Sequence, residues 1–151
     1  MNREELKAAC TALLPEATFD ETGEFLQVFV PNENLVAFMT SIRNNAEFNM
    51  DYLFCLTCID WKDHFMMVYH LLSKTHRHEF VVKSKVTDRT NPQIETMSHI
   101  WKTANFHERE VFDLFGVKFL HHPDLRRIFL DENWPGYPLR KDYVDENMIE
   151  I

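Results

Sequence analysis

"YLFCLTCIDWKDHFMMVYHLLSKTHRHEFVVKSKV", residues 52–86, decides the fold. It divides into three runs, 52–61, 64–73 and 78–86, each rich in aromatic and β-branched residues. Short polar connectors separate them, which is the pattern of successive strands. Upstream, "ATFDETGEFLQVFVP" reads as two more strands around a turn at Glu21–Gly23, ended by Pro31.

Helices are expected on either side. In residues 2–14, Leu6, Ala9, Cys10, Leu13 and Leu14 recur at helical spacing, and Pro15 stops the run. A second helix is expected after Pro31, capped by Asn32 or Asn34, with Leu35, Phe38, Met39 and Ile42 on one stripe. Residues 87–116, "TDRTNPQIETMSHIWKTANFHEREVFDLFG", read as a third helix. Pro92 suits its first turn, Gly116 the residue just past its end, and a kink is expected near Ala104–Asn105. The sum is an α+β fold: a two-layer sandwich of a four- to five-stranded, mostly antiparallel sheet with helices on one face. Residues 1–116 form that domain, and residues 117–151 a long irregular C-terminal arm.

Composition narrows the function. The chain has 151 residues and 45% hydrophobic content, enough for one domain with a real core. No apolar run is long enough to span a membrane, and "MNREELKAAC" carries no apolar signal region. Three cysteines do not make a disulfide framework, which points to a reducing, cytoplasmic compartment. A net charge of −8 with no basic face argues against nucleic acid, and three glycines leave no room for a phosphate-cradling loop.

The chemistry-bearing residue types are scattered. Cys55 and Cys58 sit within a strand-like run rather than at a helix N-terminus, and only Cys10 could join them, so they are read as buried structural thiols. His76, His78, His121 and His122 are read as surface-turn residues, since no carboxylate at helical spacing completes a metal set. His107-Glu108 lacks a nucleophile or orienting group, so no catalytic residue and no bound metal or cofactor is expected in this chain. A free-standing metal or redox enzyme using the cysteines and histidines is the competing reading.

The late helix and the arm belong together. Glu108, Arg109, Glu110 and Asp113 crowd one helical stretch, with Phe106, Val111, Leu114 and Phe115 as its apolar positions. Arg109 and Asp113 are placed for an i,i+4 pair. Arg126, Arg127, Arg140 and Lys141 lie downstream, and a folded-back arm would bring their charges to the helical acids. The arm also carries Phe119, Leu125, Ile128, Phe129, Leu130, Trp134, Tyr137, Leu139 and Tyr143, stiffened by Pro123, Pro135 and Pro138. Aromatic and Arg anchors on a rigid irregular segment have the composition of an interface. The expectation is that its apolar and guanidinium groups need a neighbouring polypeptide.

These residues carry a resemblance. The stretch from Ala104 to Tyr143 resembles the signature region of the C-type, 30 kDa subunit family of NADH:quinone oxidoreductase (respiratory complex I). That pattern is E-R-E, two residues, an acid, two apolar residues, six residues, then His, three residues and Arg. It is met by Glu108-Arg109-Glu110, Asp113, Leu114-Phe115, His122 and Arg126. The later block W-x-G-x-P-L-R-K-D-[YF] is met by Trp134, Gly136, Pro138, Leu139, Arg140, Lys141, Asp142 and Tyr143. His121 stands where Gly is common, Tyr137 where His is usual, and Val144 where Pro is frequent.

The resemblance implies an accessory, cofactor-free scaffold subunit in the peripheral arm of a proton-translocating complex. It would dock on the D-type subunit, of the 49 kDa family, with the iron–sulfur subunits B and I nearby. That position lies beside the quinone-reducing module, on the cytoplasmic side of the plasma membrane. FMN, iron–sulfur clusters, NADH and quinone would be handled by other subunits. Glu108, Arg109, Glu110, Asp113, His122, Pro123, Arg126, Arg127, Trp134, Pro138, Arg140, Lys141 and Asp142 would make the interface. The alternative is a homologous subunit of a membrane-bound hydrogenase or another complex with a donor other than NADH.

Overall fold

The computed structural model describes residues 1–149; residues 150 and 151, the end of the expected arm, lie outside the described residues. In chain order the elements are α1 (Arg3–Leu13), β1 (Thr18–Asp20), β2 (Gln27–Phe29), α2 (Asn32–Asn44), β3 (Tyr52–Asp60), β4 (Phe65–Leu72), β5 (Glu79–Val86), β6 (Gln93–Glu95), α3 (Ala104–Phe115) and β7 (Lys118–Leu120). Five strands form one sheet in the order β1-β2-β5-β4-β3, antiparallel except where β2 joins β5.

Register explains the layering. Tyr69 faces both Leu56 and Val82, and Leu71 faces Leu53 and Phe80, so large apolar side chains stack in rows across three strands. All six are buried, and they share one core cluster with Leu6 and Cys10 of α1, Leu35, Phe38, Met39 and Ile42 of α2, and Ala104, Val111 and Phe115 of α3. Such a core makes each large side chain count: truncating one to Ala costs about 2–5 kcal/mol. The rows between carry Tyr52, Ile59 and Lys85, all exposed. The mixed α+β sandwich expected from the strand runs is therefore the fold found.

Two helix boundaries differ from the sequence reading. No side chain caps α2; Pro31 holds the cap position, because the Asn32 side chain instead accepts a hydrogen bond from Ser84 Oγ on β5 (2.5 Å). In contrast, α1 has a reciprocal capping box between Asn2 and Glu5.

The long third helix is shorter than expected. Residues 93–95 are a strand, β6, which pairs in parallel with β7, and α3 is the crossover between them. Pro92 is not in a helical turn; its carbonyl accepts the N–H of Lys118 (2.9 Å). The apolar residues that suggest a helical period, Ile94, Met97 and Trp101, are all buried. They reach the core from a strand and a turn, and Trp101 Nε1 donates to Met50 O (2.9 Å). Tertiary pairing of Ile94 with Phe119 outweighs a weak local preference. The helix proper starts at the expected kink and ends as expected, with Gly116 in the left-handed region at φ 73°.

Candidate functional site

The charged stretch of α3 is buried rather than solvated. Glu108 and Asp113 have no exposed surface and Arg109 only 8%. Glu110 is exposed, and so is Phe106, which the sequence pattern placed inward.

Asp113 is the hub of the C-terminal arm. Its Oδ2 accepts the backbone N–H groups of Ile128 (3.0 Å), Phe129 (2.7 Å) and Leu130 (3.1 Å). Its Oδ1 takes Arg127 Nη1 (3.2 Å). Burial alone would raise this carboxyl, but the three N–H groups and the guanidinium outweigh it and hold it below the ordinary carboxylate range. The expected Arg109–Asp113 pair is not formed. Arg109 instead donates Nε to Arg126 O (3.1 Å) and Nη2 to Arg127 O (3.2 Å), which bends the arm around the helix.

The rest of the arm is laced down in the same way. Arg127 Nη2 donates to the carbonyls of Trp134 (3.2 Å) and Gly136 (3.0 Å), and Arg140 Nε to Phe115 O (2.6 Å). The Tyr137 ring lies between these two guanidinium groups, 5.0 Å from Arg127 and 4.9 Å from Arg140. Leu139 N donates to Leu114 O (3.0 Å). At the far end Lys141 N donates to Asp60 Oδ2 (2.9 Å), and Asp60 also holds Arg89 and Lys62 N. Burial would raise Asp60, yet Arg89 and the two backbone donors pull it down to about 2. Arg89 in turn reaches Asp142 (3.4 Å). Sequence reasoning missed Asp60 and Arg89. The available signal was an acid at an inward-facing position of β3, where the strand alternation calls for an apolar residue.

Arg127 and Arg140 thus spend guanidinium nitrogens on acceptors within the chain, where the sequence reading gave them a neighbouring polypeptide. The apolar anchors behave differently. Phe129 is 65% exposed and Leu139 52%, and Ile128 and Trp134 are also exposed. The arm thus turns Arg127 and Arg140 inward and these four apolar side chains out, while Leu125, Leu130, Tyr137 and Tyr143 are half-buried and Phe119, on β7, lies in the core. Pro123 and Lys141 are exposed beside them, and Pro138 is half-buried.

Two of the four paired histidines are buried, not on surface turns. His78 Nε2 meets Phe48 O (2.8 Å), and burial pulls its pKa down. The His122 side chain is fully enclosed, with Nε2 donating to Asn105 O (3.0 Å) and Nδ1 accepting Asp124 N (3.0 Å). It lies 3.8 Å from Glu108, whose carboxyl accepts from Thr96 Oγ1 (2.5 Å) and Met97 N (2.6 Å). Burial pushes Glu108 up to about 7, against those two donors.

As for ligands, Glu95, His99 and His121 line a cleft of about 620 Å³. His121 is already held by Glu95 (2.8 Å), and among the described residues no three His, Cys, Asp or Glu side chains converge as a metal site. Cys58 lies in the core and Cys55 is half-buried at a bulge; burial pushes Cys58 up to about 12. No helix among the described residues is long and apolar enough to cross a membrane.

Fold and site together define a class: a two-layer α+β domain that ends, after β7, in an irregular arm braced on buried carboxylates and carrying exposed apolar side chains. Residues 28–147 match the family model of the respiratory-chain NADH dehydrogenase, 30 Kd subunit, and the chain belongs to that family. It is 40% identical over 141 residues to the C-type subunit of the NADH-quinone oxidoreductase of Roseiflexus castenholzii, covering 89% of this chain and 80% of the relative. It is 43% identical over 123 residues to a C/D-type NADH-quinone oxidoreductase subunit of Phocaeicola vulgatus. There the match covers 81% of this chain and only 23% of the relative. Among solved structures, a chain of the membrane-bound sulfane sulfur reductase, an archaeal respiratory membrane complex, superposes with a TM-score of 0.74 at 26% identity. That match covers 93% of this chain and 85% of the other.

Proposed function

We propose that this chain is a cofactor-free scaffold subunit in the peripheral arm of a proton-translocating NADH:quinone oxidoreductase. It docks on the D-type subunit beside the quinone-reducing module, with iron–sulfur subunits B and I as neighbours, on the cytoplasmic side of the plasma membrane. Electron carriers and quinone are handled elsewhere in the complex. One observation carries this reading. An arm tied to the domain through Asp113, Arg127 and Arg140 presents Phe129, Trp134 and Leu139 to solvent, as pre-ordered apolar anchors of an interface core. The C/D name of the Phocaeicola relative supports the D-type subunit as the partner.

Co-expression with the D-type subunit of the same complex tests it. The intact chain is expected to co-purify with that subunit, and Phe129→Ala/Leu139→Ala to lose it while keeping the fold. Retained co-purification in that double variant counts against docking through the arm. A second reading rests on the sulfane sulfur reductase neighbour: the chain serves a homologous complex with another electron donor, such as a hydrogenase. Identification of the remaining subunits that co-purify separates the two, since NADH- and flavin-binding subunits occur only with the first.

A further inference from the structure

Arg109 is only 8% exposed and has no carboxylate within ion-pair distance among the described residues. Two of its nitrogens serve the carbonyls of Arg126 and Arg127, while Nη1 makes no hydrogen bond to any described residue. Beyond those carbonyls the guanidinium has the Phe106 ring at 5.8 Å and the more distant charge of Asp124, with no carboxylate hydrogen-bonded to it, so an anion placed against it is favoured.

The surroundings supply a place for one. Arg109 lines a groove of about 540 Å³ between the start of α3 and the base of the arm, with Lys102, Phe106, Asp124 and Arg126 on its walls. Three cations face a single carboxylate there, and Asp124 is already engaged by Arg126 Nε (3.0 Å). Lys102 is exposed, and its side chain has no hydrogen-bond partner among the described residues. Phe106, 63% exposed, gives the groove an apolar wall that a free inorganic anion does not need. On a chain of net charge −8 this local excess of positive charge runs against the average.

We propose that this groove receives an acidic, carboxylate-bearing segment of the partner polypeptide, a second contact beside the apolar arm. The inference rests on the D-type subunit as that partner. Arg109 Nη1 and Lys102 hold the carboxylate, and Phe106 packs on the adjoining apolar side chain. Selectivity comes from charge complementarity across a partly desolvated contact.

The test measures binding of the full chain to the purified D-type subunit at about 50 and 300 mM salt, a range over which surface charge is increasingly screened. Lys102→Glu/Arg126→Glu is the main variant; Lys102→Glu alone, which breaks no side-chain hydrogen bond, guards against misfolding. Wild-type binding is expected to weaken with salt. The double variant is expected to bind at least about tenfold more weakly at low salt, with a flatter salt dependence, as for a lost charge contact. The thermal midpoint of the free variants should match that of the wild-type chain. Equal affinities for wild type and both variants overturn the groove while leaving docking through the arm intact. Failure of the wild-type chain to bind the D-type subunit at either salt overturns the docking reading and this inference with it. Stabilisation of the free chain by millimolar inorganic phosphate, combined with charge-independent binding to the D-type subunit, marks a small-anion site and overturns the proposal.

Discussion

Asp113 shows how one side chain can shape a long stretch of backbone. Three consecutive backbone N–H groups and a guanidinium converge on its carboxylate, so the arm's turn at 128–130 exists because that charge is buried beneath it. Asp113→Asn keeps the volume but loses the charge, and the bonds it weakens are charge-assisted; a loss of roughly 2 kcal/mol is expected in denaturant melts. The pH dependence follows from the direction of its shift. Asp113 and Asp60 titrate below ordinary carboxylates. Their contribution is thus complete above the unfolded carboxylate range and is lost on acidification, for Asp60 as pH falls through about 2. Glu108 runs the other way. Its folded pKa of about 7 exceeds the ordinary glutamate value of 4.5, so the fold favours the protonated form. Stability is greatest below the unfolded value and declines as pH rises to about 7, by up to roughly 3 kcal/mol. The other titratable groups facing it are His122 and Tyr69, whose hydroxyl is buried without a partner among the described residues. Glu108→Gln mimics the protonated form, so melts of this variant at pH 5 and pH 8 are expected to differ less than those of the wild type. An unchanged difference would mean that Glu108 does not titrate in this range.

At the scale of elements, the junction of α3 with the arm turns on Gly116. Its φ of 73° ends the helix, and a Cβ there would meet the Tyr137 ring at 2.5 Å and Arg140 Nη2 at 2.8 Å. Gly116→Ala therefore strains the backbone and pushes the arm outward. A cost of about 1 kcal/mol from the backbone alone is expected, with more from the displaced ring. Limited proteolysis should cut near residues 131–136 faster in this variant, with the helical circular dichroism signal preserved. The role of Gly116 as a helix stop is legible in the sequence, because an apolar period ends there; its role as the seat of Tyr137 is not, because nothing local marks so distant a contact. The same contrast runs through the chain. Strands β3, β4 and β5 are legible because alternation and β-branched content agree with the burial they reach. Strand β6 is hidden because three residues are too few to show a period against the helical spacing of Ile94, Met97 and Trp101. In the site, the sequence brings the charges of α3 and the arm together but gives Arg109 and Asp113 each other as partners. Local i,i+4 spacing suggests that pair, whereas the returning arm offers each a better partner than an exposed helix face could.

For the whole molecule, the question is whether arm and domain unfold as one. The arm's attachments reach the end of β3 through Asp60, the middle of α3 through Arg109, and the last turn of α3 through Asp113 and the carbonyls of Leu114 and Phe115. Tethers this widely spaced should make the arm open as a unit rather than fray residue by residue. Yet it buries few apolar side chains: Leu125 packs on the core, while Ile128, Phe129, Trp134 and Leu139 remain exposed. Apolar burial is the main source of free energy for the β4 rows, so the arm should open well before they do. Native-state hydrogen exchange is expected to give two tiers. The amides of Phe129, Leu130, Leu139 and Lys141 should share one opening free energy, several kcal/mol below that of Tyr69 and Leu71. Exchange of the arm amides at the global unfolding free energy would make the arm an integral part of the domain. Exchange at the rate of free peptide would mean that the tethers do not hold it. With the D-type subunit bound, the lower tier should rise toward the upper one, because covering Phe129 and Leu139 adds the apolar burial that the arm lacks alone.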